Sequence, residues 1–205
     1  MNQIEGFILA GGASRRMGTD KAHLKLEGKT FVERIAAELA GIAVSVTVVG
    51  RMPNDLELNL PTVPDVYEKW GALGGLHAAL SVCRTEWAVV VACDLPFVRD
   101  GLFRRLASFR KGFDAVVPIQ LDGRPQPLCA IYKALACLPT AEQLIKSDER
   151  RPMALLQSVN TRWVLFEELK ELDGAELFFD NINSPEDYTL AAQKGSTRNP
   201  KDKSP

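Results

Sequence analysis

The apolar positions alternate between short continuous runs and helical stripes. Ile4 to Ala10 (IEGFILA) is an apolar run that stops at two glycines, the pattern of a strand buried on both faces. Phe31, Ile35 and Leu39 then recur every fourth residue with Glu33 and Glu38 between them, which predicts an amphipathic helix. Val44 to Val49 predicts the next strand. Leu76, Ala79, Leu80 and Cys83 predict a second helix, and Trp87 to Ala92 a third strand. Leu102, Leu106 and Phe109 make another helical stripe before Asp114 to Ile119 returns to strand. Strand and helix in alternation predict an α/β domain with a largely parallel sheet.

Beyond Val117 the pattern loosens. Leu128 to Tyr132 and Arg162 to Phe166 read as strands, Leu135 to Ile145 and Met153 to Gln157 as helices. Ser184-Pro185-Glu186-Asp187 is a helix start, with Ser as N-cap, Pro at the first helical position and Asp three residues after the cap. Lys194 to Pro205 carries no aliphatic or aromatic residue and is expected to be disordered. No repeat or interior linker divides the rest, so residues 1–193 are expected to form a single domain.

Composition narrows the function classes. In the 205 residues, 25 Lys and Arg nearly cancel 26 Asp and Glu, which argues against a broad basic face for nucleic acid. The longest strictly apolar run, Trp87 to Cys93, is far short of a membrane span, and no secretory signal is visible at the amino terminus. Four cysteines without a CxxC pair are expected to be reduced, buried thiols rather than a zinc site. A cytoplasmic protein is the expectation.

Chemistry concentrates in a few segments. Leu9 to Lys21 (LAGGASRRMGTDK) follows the first strand, and in an open α/β sheet that is the carboxyl edge where ligands bind. Gly11 and Gly12 let the backbone curl and point N–H groups at an anion, and Arg15, Arg16 and Lys21 add positive charge. The spacing is neither Walker A nor GxGxxG. A plain Gly-Gly turn beside a solvated basic loop is the alternative. Asp94, in VVVACDLPFV, ends a buried strand at the same edge and is placed either to hold a divalent cation or to cap the turn before Pro96. Asp65 is open to a cation or nucleotide role, or to a loop role. Gly74 and Gly75 permit either close approach of a ligand at a helix start or tight packing. His23 and His77 stand apart from any nucleophile motif, and surface or edge positions are expected for both.

Together these segments resemble the molybdenum cofactor guanylyltransferase family. The family's LAGGxSxRMGxDK opening is met by Leu9, Ala10, Gly11, Gly12, Ser14, Arg16, Met17, Gly18, Asp20 and Lys21. Gly71-Ala72-Leu73-Gly74-Gly75 matches a GPLGG-type turn with Ala72 in place of proline, and Cys93, Asp94, Pro96 and Phe97 match a CDxPF turn. Gln126 to Tyr132 resembles the family's QPL-x-A-x-Y stretch. Asn181, Asn183, Pro185, Glu186 and Asp187 match its NxNxPED ending.

The resemblance implies a Rossmann-like three-layer sandwich with a mostly parallel, mixed sheet. It implies transfer of GMP from GTP to the terminal phosphate of molybdopterin, with Mg²⁺ as cofactor and release of pyrophosphate. It assigns Leu9, Ala10 and Gly11 to the nucleotide, Lys21 to its phosphates, Asp65 to the nucleotide end, and Asp94 to nucleotide and Mg²⁺. Asn181 and Asn183 fall on the pterin side. Arg16, Lys21 and Asp94 then form the expected catalytic set, aided by the Gly11 and Gly12 amides, because a phosphate monoester needs charge stabilisation more than a base. At Gly50, where the family commonly has Asn, no contact is carried over. Apo-molybdoenzymes or other cofactor-biosynthesis proteins are possible partners, and neither nucleic acid nor membrane is expected. Cytidylyl transfer, transfer to a sugar phosphate, and a non-catalytic delivery protein remain the alternatives. Removing residues 194–205 is expected to leave the melting temperature and turnover unchanged, and a clear fall in the melting temperature would show that the tail docks.

Overall fold

The computed structural model describes residues 3–10, 24–50, 59–67, 70–184 and 186–190. The strands are β1 (Ile4–Leu9), β2 (Lys25–Leu26), β3 (Lys29–Thr30), β4 (Val46–Val49), β5 (Thr62–Val63), β6 (Trp87–Ala92), β7 (Ala115–Pro118), β8 (Cys129–Lys133) and β9 (Thr161–Val164). The helices are α1 (Phe31–Leu39), α2 (Gly71–Val82), α3 (Asp100–Ser108), α4 (Ala134–Lys146) and α5 (Pro152–Ser158), and residues 186–190 form a further helical segment. Seven strands make one sheet in the order β5-β4-β1-β6-β8-β7-β9, while β2 and β3 pair as a separate hairpin. β8 runs antiparallel to both neighbours, and the other pairings in the large sheet are parallel. The sheet is therefore mixed and mostly parallel, as the resemblance implies.

Strand alternation builds a core on each face. Ile8 of β1 and Val89 and Val91 of β6 face the α1 and α3 side with Ile35, Leu39 and Leu102. Phe7 and Leu9 of β1 and Val90 of β6 face the α2 and α4 side with Leu76, Leu80 and Ala141. Helices on both faces explain why the central strands read as continuous apolar runs. A third, smaller cluster joins Leu26, Phe31, Phe97 and Ile182, with Leu24, Leu177 and Tyr188 against it.

The hairpin is not signalled by apolar periodicity, because its strands are two residues long. Its turn places Glu27 (φ 52°) and Gly28 (φ 82°) in the left-handed region, the geometry of a two-residue hairpin turn. Residues 166–168 leave the strand predicted through Phe166 and form a 3₁₀ turn, since β9 ends at Val164.

The hairpin hands over to α1 through Thr30, which is 3% exposed. The Thr30 hydroxyl accepts from the Glu33 amide, and the Glu33 carboxylate accepts from the Thr30 amide. This capping box satisfies donors that helix geometry leaves open. The Thr30 backbone and side-chain hydrogen bonds hold the Glu33 carboxyl below its ordinary value. Thr30→Ala is expected to cost about 1 kcal/mol, a fall of about 2–4 °C in Tm. Because the folded pKa of Glu33 is depressed, its contribution is complete above the ordinary carboxylate range and lost as pH falls through the folded value. The difference in Tm between wild type and variant should therefore narrow in acid; thermal melts across pH check this, and a widening gap overturns it.

Candidate active site

Four parallel strands end level. Leu9 pairs with Val49 on one side and Ala92 on the other, and Val49 pairs with Val63. Ala10, Gly50, Asp65 and Asp94 therefore emerge along one carboxyl edge. The ladder runs one step further at each exit: Ala10 N–H donates to Val49 O (2.8 Å), Gly50 N–H to Val63 O (2.9 Å) and Cys93 N–H to Leu9 O (3.0 Å). Gly50 has φ 112°, a left-handed conformation that favours glycine, which fits its departure from the family's usual Asn. The chain moves outward from β1 to β4 and β5, then returns to β6 on the other side of β1. Such a reversal opens a crevice above the strand ends, here between the exits of β1 and β6.

Leu9 is buried, with its side chain on the α2 face and its carbonyl accepting the Cys93 amide. It ends β1, and Ala10 emerges from it at the edge. Gly11, Gly12, Ser14, Arg15, Arg16, Met17, Gly18, Asp20, Lys21 and His23 lie outside the described residues. The segment carrying them starts from Ala10, at the edge, and rejoins the described chain at Leu24, which packs on the third cluster.

Asp65 closes a turn in which its Oδ1 accepts the Tyr67 amide at 2.9 Å, the side-chain turn that Asp makes two residues on. Gly74 is the reason that turn fits. A Cβ at Gly74 would stand 3.0 Å from Trp70 Cβ and Tyr67 O and 3.2 Å from Asp65 Oδ1. At Gly75 the nearest atom would be Leu9 Cδ1, at an ordinary 3.5 Å. Both glycines are buried in the body of α2 against protein atoms. The described atoms that pack over Gly74 are those of the Asp65 turn and Trp70, and over Gly75 those of Leu9. Tyr67, which the sequence did not single out, supplies both the amide and an edge-on ring contact to His77 at 5.0 Å.

His77 corrects an expectation. It is 6% exposed, inside α2, rather than at the surface. Among the described residues neither ring nitrogen has a hydrogen-bond partner, and Glu142 Oε1 is 3.7 Å from Nε2. His77 lies against Tyr67 and α4, on the side of α2 that Gly74 shares, and an isolated His in the sequence does not reveal that face. The four cysteines form no disulfide among the described residues, but only Cys129 and Cys137 are buried, while Cys83 and Cys93 are half-buried. Burial pushes the Cys137 thiol up to about 12 and the Cys129 thiol higher, which suits inert core thiols.

Asp94 is half-buried at the exit of β6. Its carbonyl accepts the Ile182 amide at 3.0 Å, across 88 residues of sequence. Ile182 is 1% exposed in the third cluster, whereas its neighbours Asn181 and Asn183 are exposed. One anchored apolar residue thus brings the backbone that bears the two asparagines to the Asp94 turn. Asp187 Oδ2 accepts from the Asn183 and Ser184 amides, and Ser184 Oγ accepts from the Asp187 amide. This reciprocal cap is the helix start read from the sequence.

Gly74→Ala is expected to displace Asp65 and weaken GTP binding by about tenfold, equivalent to roughly 1.4 kcal/mol, while Gly75→Ala leaves it within about twofold, a few tenths of a kcal/mol. Calorimetric titration with GTP, backed by thermal melts, checks the pair. Equal affinities in the two variants would remove Gly74 from the support of Asp65.

The family model of the MobA-like NTP transferase domain matches residues 6–163. The chain is 35% identical over 192 residues to the "Probable molybdenum cofactor guanylyltransferase" of Pelotomaculum thermopropionicum, covering 93% of both chains. It is 30% identical over 194 residues to the "Molybdenum cofactor guanylyltransferase" of Desulfosudis oleivorans, covering 93% of this chain and 95% of that one. Among solved structures, molybdopterin-guanine dinucleotide biosynthesis protein A from Archaeoglobus fulgidus aligns with a TM-score of 0.80 and 27% identity, over 95% of this chain and all (100%) of that one. The 2-C-methyl-D-erythritol 4-phosphate cytidylyltransferase of Thermus thermophilus aligns with a TM-score of 0.67 at 16% identity, over 93% of this chain and 98% of that one, and shares the fold alone. The family match runs along most of the chain and spans the strand ends that bear Ala10, Asp65 and Asp94, so the protein belongs to the MobA-like NTP transferase family.

Proposed function

We propose that the protein is a nucleotidyltransferase that moves GMP from GTP to the terminal phosphate of molybdopterin, forming the guanine dinucleotide cofactor and releasing pyrophosphate. The observation that carries this reading is the Ile182 to Asp94 hydrogen bond, which brings the segment of Asn181 and Asn183 to the strand end that bears the acidic residue. Donor and acceptor sites then adjoin, as direct transfer requires. The names of the relatives support guanylyl transfer.

In the reaction, an oxygen of the acceptor phosphate forms a bond to the α-phosphorus of GTP. The bond from that phosphorus to the bridging oxygen breaks, and pyrophosphate leaves with the electron pair. The acceptor is already an anion near neutral pH, so no side chain has to remove a proton. Asp94 offers a hard oxygen donor at the crevice, which fits Mg²⁺, an ion usually held by one or two carboxylates and substrate phosphates. When bound, Mg²⁺ supplies Lewis-acid charge stabilisation on the phosphates. Arg16, Lys21 and the Gly11 and Gly12 amides are assigned to the same phosphates by their motif. Asp65, held by Tyr67 and Gly74, is assigned to the nucleoside end. Asn181 and Asn183 offer both donors and acceptors, which suits the alternating edge of a pterin.

The cytoplasm is the proposed compartment. No described helix is long and apolar enough to cross a membrane. Apo-molybdoenzymes are the proposed recipients of the product.

Pyrophosphate release from GTP or CTP, with molybdopterin and Mg²⁺, tests the reading. Release from GTP is expected to dominate, and preference for CTP would move the protein to cytidylyl transfer. Asp94→Asn should melt normally and lose on the order of a hundredfold or more in turnover. Near-normal rates at saturating Mg²⁺ would sink the assignment of Asp94.

A further inference from the structure

We infer that Tyr188 is a positioning residue that locks the acceptor-side segment to the exit of the phosphate-loop segment. The inference rests on the acceptor reading of Asn181 and Asn183. Tyr188 O–H donates to the carbonyl of Lys25 at 2.6 Å, across 163 residues. Lys25 opens β2, the first element after residues 11–23. The Tyr188 ring packs toward Phe31 with centroids 6.5 Å apart, and Phe31 shares the third cluster with Leu26, Phe97 and Ile182.

Tyr188 stands one helical turn beyond Ser184, and its amide donates to Ser184 O at 3.1 Å. Its neighbour Asp187 holds the Asn183 and Ser184 amides through one carboxylate oxygen. The hydroxyl therefore fixes the rotation of the first helical turn, and that turn fixes Asn183. On the other side, Ile182 fixes the same segment to Asp94. Two hydrogen bonds, one to β2 and one to the Asp94 turn, thus triangulate the asparagines against the donor side. An apolar ring contact alone leaves that turn free to slide, because apolar packing has no direction.

The test is a set of steady-state and binding measurements on the full chain. Tyr188→Phe keeps the ring and loses only the hydroxyl. The KM for molybdopterin is expected to rise about threefold to tenfold, the range of one lost hydrogen bond, with the KM for GTP within about twofold and Tm nearly unchanged. A purely structural role would lower Tm and raise both KM values together, and that result overturns the proposal. Tyr188→Leu, which loses ring and hydroxyl, should show no milder acceptor defect. Asn183→Ala tests the underlying reading separately. If Tyr188→Phe leaves the molybdopterin KM unchanged while Asn183→Ala raises it, the lock is wrong and the acceptor assignment stands. If neither raises it, both fall.

Discussion

The hydrogen bond from the Cys93 amide to the Leu9 carbonyl, 3.0 Å long, joins the ends of β1 and β6. These two strands have no room for chemistry along their length, because helices cover both faces and their side chains are buried there. Polar function is confined to the edge where they end together. Everything proposed for catalysis depends on that register. A slip of β6 by one residue against β1 would carry Asp94 one step, about 3.3 Å, along that edge relative to Ala10.

Behind the edge, polar contacts hold the Asp94 turn from below. Arg34 of α1 donates to Pro96 O at 3.4 Å and to Leu26 O at 3.3 Å, bridging the turn and the hairpin. Glu38, one helical turn on, accepts from Arg99 and from the Asp100 amide at the start of α3. Exposed pairs such as Arg104 with Asp100 contribute little, because water and salt screen them. The pairs at Arg34 and Glu38 are more sheltered and end on backbone groups, so their value lies in geometry.

The small third cluster gathers segments that would otherwise be independent. Phe97 follows Asp94, Leu24 and Leu26 follow the glycine-rich segment, and Ile182 lies between the asparagines. Burial of these few side chains is non-directional and sets proximity, while the Ile182 and Tyr188 hydrogen bonds set orientation. A site on three separate segments gains rigidity in this way without a long element through it.

Local physics made much of this legible in the chain. Runs such as Trp87 to Ala92 and stripes such as Phe31, Ile35 and Leu39 are statements about burial period, and they read correctly as β6 and α1. The cap at Ser184 and Asp187 was equally readable, because it involves neighbours in sequence. The motifs identified the family and named Asp65, Asp94, Asn181 and Asn183. Other features needed the tertiary structure, because they depend on partners far along the chain. Two-residue strands carry no period, so the β2–β3 hairpin was silent, as was the antiparallel course of β8, since direction is set by connection and not by composition. The burial of His77 depends on which face of α2 meets Tyr67 and α4. Whether Gly74 seats a ligand or a turn depends on Tyr67 and Trp70 folding back over it. The meeting of Asp94 with Ile182 joins positions 88 residues apart, and only the packed core brings them within one hydrogen bond. Sequence determined the strands, helices and chemical groups because those follow from short-range preference and burial. Tertiary structure decided which groups face one another, because that follows from long-range packing.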